Sequence, residues 1–179
     1  MHLATSRIFA QQVSIVTTLS KKAEQQLISE EKLFSDIGSR DHAMILLALR
    51  PDIRRSDIIN LKIQDIGWKN DTITFVRQKT EVPVTLPLLT DTGNAVMNYI
   101  LKSRKATDEE NIFLRKYAPH TTLKSGAHTV EKYLKNLDYD DCPQKGFHIL
   151  RRILATRMLE TMYPVTLFLL LSIRLILHL

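Results

Sequence analysis

Apolar residues along this chain change their spacing several times, and each change marks an element. Residues 1–35 open with an amphipathic stretch, Ser6 to Leu19, followed by the polar, helix-favouring Lys21 to Lys32. This region reads as the end of an upstream module or a linker helix. The run Arg40-Asp41-His42-Ala43-Met44-Ile45-Leu46-Leu47-Ala48-Leu49 predicts a buried helix, stopped at Pro51 because proline brings no N–H donor. A tight turn must follow. Ser56 is the expected N-cap of a second helix, Asp57 to about Lys62, with Ile58, Ile59 and Leu61 toward a core. Arg54 thereby falls in the loop between two packed helices.

The period then shifts to two. Asp71-Thr72-Ile73-Thr74-Phe75-Val76 alternates as a half-buried strand, and Val82-Pro83-Val84-Thr85-Leu86-Pro87-Leu88 can pair with it through Gln78-Lys79-Thr80-Glu81. Lys79 is placed at or beside the hairpin tip. Helical spacing returns over Ala95 to Lys105, Ile112-Phe113-Leu114 forms a short apolar run, and Thr129 to Leu137 predicts another helix. A polar loop with a proline, Asp138 to Gly146, precedes a helix starting near Phe147 or His148. After residue 164 polar residues nearly vanish. These elements predict a mainly α chain with a small antiparallel β-sheet, an α+β domain over 36–160, preceded by the 1–35 segment and followed by an atypical apolar tail over 161–179.

A length of 179 residues with 44% apolar content suits one core of ordinary size. The 25 Lys and Arg against 19 Asp and Glu leave a net charge of +6, which tilts the chain toward polyanionic partners without naming one. A single cysteine, Cys142, excludes an internal disulfide and a multi-cysteine zinc site, as suits a reducing compartment. The N-terminus mixes His2, Arg7, Gln11 and Gln12 into its apolar pattern, unlike a signal peptide. A cytoplasmic location is the expectation.

Four features stand in a suggestive order: Arg54 ahead of Ser56-Asp57-Ile58-Ile59-Asn60-Leu61; Lys79 in Gln78-Lys79-Thr80 at a hairpin; His148-Ile149-Leu150-Arg151; and Ala155-Thr156-Arg157-Met158-Leu159. Together, over about residues 40 to 160, they resemble the catalytic domain of the tyrosine recombinase (phage integrase) family. Each piece has both its residue type and its structural setting, which no single short motif would secure. The resemblance implies site-specific DNA recombination: a tyrosine hydroxyl attacks a DNA phosphate, forms a 3′-phosphotyrosine link and releases a 5′-hydroxyl, with neither metal nor other cofactor. It implies Arg54, Lys79, His148 and Arg151 as catalytic residues, and it selects Arg54 over Arg55 because the family's arginine stands three residues before the acidic residue, here Asp57. Double-stranded DNA is the partner implied, and no small-molecule substrate. Family members exchange a C-terminal segment between subunits, which allows a homo-oligomer on DNA, and the role is that of integrating or excising a mobile element.

The residue chemistry agrees. A phosphodiester under attack gains negative charge on its non-bridging oxygens, and planar guanidinium groups such as those of Arg54 and Arg151 hold such oxygens in bidentate fashion. On a helix His148 and Arg151 stand at i and i+3 and share a face. Histidine can donate a hydrogen bond or take a proton near neutral pH. Lys79 would protonate the departing sugar oxygen as a general acid, given a lowered pKa. Asp57 has a supporting role, orienting Arg54. Each residue alone has a plain reading: solvated arginines, a first-turn carboxylate favoured by the helix dipole, a turn lysine, a surface or core histidine. Their joint occurrence carries the assignment.

Three departures from the family pattern stand out. Asp52 occupies the place of a common glycine two residues before Arg54; aspartate tolerates turn conformations, so little damage is expected. Arg152 replaces a frequent histidine and adds charge toward DNA. Further on, the family's Leu-Gly-His turn and nucleophilic tyrosine have no counterpart: no tyrosine follows Tyr163, which is too close to Arg151 and next to Pro164 to be assigned as nucleophile, and His178 is a poor stand-in for the turn's histidine. The expectation is therefore a recombinase site without its nucleophile in this chain, either completed by a partner subunit's tyrosine or surviving as an inactive DNA-binding remnant. For the apolar segment from Val165 to Leu179 one hypothesis is a frameshift, motivated by the simultaneous loss of pattern and polarity; the gene sequence beyond codon 160 tests it, and a neighbouring frame without Leu-Gly-His and tyrosine sinks it. A tail helix packed in a core or on a second copy is the alternative. A membrane anchor is disfavoured, because Arg174 interrupts a run already shorter than the ~20 residues a bilayer needs.

Overall fold

The computed structural model describes residues 21–29, 36–134 and 146–158. The amphipathic stretch Ser6 to Leu19, most of the loop from Asp138, Tyr163 and the apolar tail lie outside these described residues. Helix α2, Asp36–Leu49, is the centre of the fold. Its residues Ala43 to Leu49 are each no more than 1% exposed, as expected of a helix apolar on every side. Helix α1, Lys21–Ile28, lies against it through Ala23 and Leu27, and His42 Nε2 bonds the Ile28 carbonyl oxygen at 2.9 Å. Helix α3, Arg55–Asn60, follows the Pro51 turn.

Next comes a three-stranded antiparallel sheet in the order β1 (Ile66–Gly67), β2 (Thr72–Val76), β3 (Pro83–Pro87). Ile73 pairs with Leu86 and Phe75 with Val84. Ile73 and Phe75 are buried while Thr74 and Val76 are exposed, so the period-two pattern is realised. Pro83 and Pro87 fall on β3, whose outer edge carries no partner strand among the described residues, where a missing N–H costs little. The two-residue β1 was not anticipated, being too short to show a period.

Helix α4, Thr90–Asn98, begins earlier than the expected Ala95 and passes into a π-helical turn, Tyr99–Ser103. Ile112, Phe113 and Leu114 are buried, and isolated bridges Lys62 to Asn111 and Leu114 to Thr122 fasten this segment. Helix α5, Ala127–Leu134, is tied to α2 by the buried Asp41: its carboxylate accepts a hydrogen bond from the Tyr133 hydroxyl at 3.1 Å and pairs with Arg40 at 2.9 Å. Burial, reinforced by Asp41, raises the Tyr133 pKa. The last described helix, α6, spans 147–158. Phe147, Ile149, Leu150 and Ile153 face the common core, and Arg157 is ion-paired with the buried Glu24 of α1. No helix among the described residues is long and apolar enough to cross a membrane.

Candidate functional site

The turn after α2 builds the first part of the site. Arg50 N–H still bonds the Leu46 carbonyl at 2.9 Å, and Pro51 then ends the helix. Asp52 takes a positive φ of 56°, in the left-handed region that aspartate tolerates. Ile53 is 1% exposed and plugs the turn into the core, leaving its neighbours Asp52 and Arg54 only half-buried. Arg54 is extended, at φ −69° and ψ 149°, and stands at the N-cap of α3, with its carbonyl accepting the Ile58 amide at 2.9 Å. Ser56 was expected there. Its hydroxyl instead reaches Asp57 at 3.5 Å inside the first turn, and the cap has no side-chain hydrogen bond.

Arg54, Lys79, His148 and Arg151 border one cleft of about 490 Å³, together with Arg55, Ser56, Glu131, Gly146 and Phe147. Four separated stretches of chain therefore meet. Lys79 comes from the exposed turn between β2 and β3. Gly146, at φ 74°, supplies the left-handed turn into α6, where a side chain would be strained. Phe147, 6% exposed, anchors the start of α6, and His148 and Arg151 fall together on the side away from Ile149 and Ile153. The lining holds four strongly basic side chains against the single carboxylate of Glu131, which itself pairs with the exposed His128 at 3.0 Å. Sequence reasoning missed Glu131, since nothing local marks it; it borders the cleft because α5 is held by Asp41.

Two details bear on what this cleft can bind. Arg54 Nη1 is buried and has no hydrogen-bond partner, a condition that structures rarely leave uncompensated. Arg151 is held side-on by Asp52, with Nε donating to Oδ1 at 2.6 Å and Nη2 to Oδ2 at 3.0 Å, and this hydrogen bonding raises its already high pKa further. Aspartate at 52 thus fits the turn, as expected, but it also engages the site. A second depression of about 350 Å³ adjoins, lined by Asp52, His148, Arg151, Arg152, Leu154, Ala155 and Met158. A larger cleft of about 1110 Å³ between α1, α2 and α4 is a weaker candidate for an anion, because its lining sets the carboxylates of Glu24 and Asp91 against Arg50, Lys102 and Arg157 and so has little excess of cations.

Asp57 is 3% exposed, and its hydrogen bonds do not go to Arg54: Oδ1 accepts the Gln78 amide at 2.9 Å. The carboxylate thereby fastens the hairpin that carries Lys79 to the helix that Arg54 caps. Asp57→Ala should remove this strut and leave the Gln78 N–H without its acceptor, at a cost of about 1–3 kcal/mol. Asp57→Asn, which retains an acceptor oxygen, should cost less. Denaturant unfolding together with amide exchange at Gln78 checks this; an unchanged Gln78 exchange rate in Asp57→Ala would show that the strut is not made in solution.

A family model described as the phage integrase family matches residues 17–168. The protein y4gC of Sinorhizobium fredii (strain NBRC 101917 / NGR234), which bears an integrase/recombinase name, is 32% identical over 138 residues, covering 77% of this chain and 72% of the relative. Two further Sinorhizobium relatives are longer, and the chain spans 31% and 36% of them. Among solved structures, the XerH site-specific recombinase bound to difH substrate superposes with a TM-score of 0.65 at 19% identity, over 82% of this chain and 44% of that one. The lambda integrase catalytic core gives 0.56 at 17% identity, over 81% and 84%. These likenesses establish the fold.

Proposed function

Because the chain belongs to the phage integrase family, we propose that the cleft holds a phosphate of duplex DNA for strand breaking and rejoining, as an integrase or recombinase acting on a mobile element does. The observation that carries this reading is the convergence of Arg54, Lys79, His148 and Arg151 on one cleft, with a buried guanidinium nitrogen of Arg54 lacking a partner. Several cations around one small volume suit a phosphodiester, whose non-bridging oxygens gain charge as a fifth ligand approaches phosphorus. Arg54 and Arg151 would bind those oxygens. His148, on the same cleft, would exchange a hydrogen bond or proton with the same group. Lys79, exposed on its turn, would reach the leaving 5′ oxygen. The fold's resemblance to DNA-bound recombinases supports duplex DNA over other polyanions.

Among the described residues no tyrosine lines this cleft. Tyr99 and Tyr133 are committed to the scaffold, the first stacked on Phe113 and the second bonded to Asp41. Tyr163 is too close to Arg151 to serve, so the tyrosine nucleophile that the family uses would come from a partner subunit on the DNA.

With at least two arginines on phosphate, the affinity for a mixed-sequence duplex should fall by at least about tenfold between 50 and 200 mM salt, a slope of roughly −1.8 in log–log form. Fluorescence anisotropy across that range measures it. An affinity indifferent to salt would overturn the DNA reading. A suicide duplex nicked near its exchange site separates the two possible outcomes of binding: a covalent protein–DNA adduct supports strand breaking, and tight binding without an adduct supports a DNA-binding module.

A further inference from the structure

Asp52 and Arg151 lie 99 positions apart in the chain, yet they form a bidentate pair at the edge of the cleft. The carboxylate takes Nε–H and one N–H of Nη2, the side-on face of the guanidinium. Of the five N–H groups a guanidinium carries, both on Nη1 and one on Nη2 are not engaged by Asp52. Arg151 borders both the main cleft and the smaller depression beside it, whereas Asp52 borders the smaller one alone. The carboxylate therefore grips the arginine from outside the cleft and does not occupy the phosphate's place.

The loop that provides Asp52 also provides Arg54, with only the buried Ile53 between them. One short turn, stiffened by Pro51 and plugged by Ile53, thus carries one arginine and holds the other. Position 52 has a double requirement, a residue tolerant of φ 56° and a carboxylate short enough to reach Arg151. Aspartate meets both. An arginine otherwise loses considerable rotamer freedom on binding, and a fork already oriented loses less.

We propose that Asp52 is a positioning residue that fixes the guanidinium of Arg151 relative to Arg54, so that both address one phosphate. This rests on the DNA reading of the cleft. It has a consequence opposite in sign to plain electrostatics. Removing Asp52 raises the formal net charge from +6 by one, which on charge alone tightens binding to a polyanion. Loss of positioning weakens it. A carboxylate that merely competed with phosphate for Arg151 would also give tightening on removal.

The test measures affinity for a mixed-sequence DNA duplex in the unaltered chain, Asp52→Asn, Asp52→Gly, Arg151→Ala and the Asp52→Asn/Arg151→Ala double variant. Asparagine and glycine both accept the left-handed backbone, so the turn is retained, and thermal melting verifies that each variant is folded. Asp52→Asn and Asp52→Gly are expected to bind about three- to tenfold more weakly, the range for one half-exposed charge pair. In the Arg151→Ala background the same change should have an effect under about twofold. The Nε–Hε signal of Arg151 in ¹⁵N spectra supplies a readout that a purely structural role would not move: protected in the unaltered chain and broadened by exchange in Asp52→Asn. Equal or tighter binding by both Asp52 variants, with Arg151→Ala still impaired, overturns the positioning role and leaves the DNA reading standing. Salt-insensitive binding by the unaltered chain, or full affinity in Arg151→Ala, overturns the DNA reading and this inference with it.

Discussion

Arg54→Ala is expected to weaken duplex binding by roughly 30- to 150-fold, about 2–3 kcal/mol, while leaving the fold as stable as before or more so. The two halves of that expectation share one cause. Arg54 Nη1 is buried without a hydrogen-bond partner, so folding desolvates part of a cation and gains nothing for it in the unliganded chain. A phosphate oxygen would supply the missing acceptor and convert that cost into affinity. Truncation to alanine forfeits the gain and also removes the cost, which places Arg54 among residues that trade stability for function. Because one phosphate contact disappears, the salt slope should also become shallower by about 0.9. Arg54→Lys keeps the charge but not the planar fork, and should fall between the two in affinity. Anisotropy across a salt series, paired with thermal melting, checks all three. A variant that melts lower yet binds DNA as before would show that Arg54 serves the scaffold.

The contrast between Arg54 and Asp52 shows where sequence reasoning stops. The loop that carries Arg54 was legible because a local pattern surrounds it, an apolar helix, a proline stop and a short amphipathic helix, while the choice of Arg54 over its neighbour Arg55 came from the family resemblance alone. The buried run Ala43 to Leu49 and the alternation through Ile73 and Phe75 were legible for the same reason, since burial on one or all faces writes itself into spacing. For Asp52 the sequence shows only a residue that suits a turn. Its partner lies far along the chain, and nothing in the local spacing of either residue announces the other. Asp57 was placed correctly on the first turn of α3, but its bond goes to a backbone amide at Gln78, and backbone acceptors and donors carry no residue signature. Helix α4 began earlier than expected because Thr90-Asp91-Thr92-Gly93-Asn94 has the composition of a loop. There the Asp91 carboxylate accepts the Thr92 amide at 2.7 Å, and Thr92 is fully buried, so tertiary packing overrides weak intrinsic preference. The short β1 and the π-helical turn leave no periodic trace at all.

Phe113→Ala should be the most damaging single change to the scaffold, lowering stability by about 3–5 kcal/mol, a large part of the 5–15 kcal/mol typical of a domain. Phe113 is 0% exposed. Its ring stacks on Tyr99 with centroids 5.6 Å apart and planes at 13°, which adds to the transfer and cavity terms. The segment around it is fastened from several sides: Leu123 N–H donates to the Phe113 carbonyl at 3.0 Å, and Arg104 donates to the carbonyls of Asn111 and Ile112. Little in that frame can relax to fill the space a lost ring would leave, so the higher end of the range is expected. Phe113→Leu keeps most of the apolar volume and should recover most of the loss. Denaturant unfolding measures both, and a loss under about 1 kcal/mol in Phe113→Ala would mean that the site collapses more readily than this packing implies. Phe113 does not border the cationic cleft. Its loss should therefore lower DNA affinity only as far as it depopulates the folded state, with the salt slope unchanged, whereas Arg54→Ala alters the slope in a chain that stays folded. The two variants together separate damage to the scaffold from damage to the phosphate grip, because scaffold damage scales with the unfolded fraction while a lost contact shows at any stability.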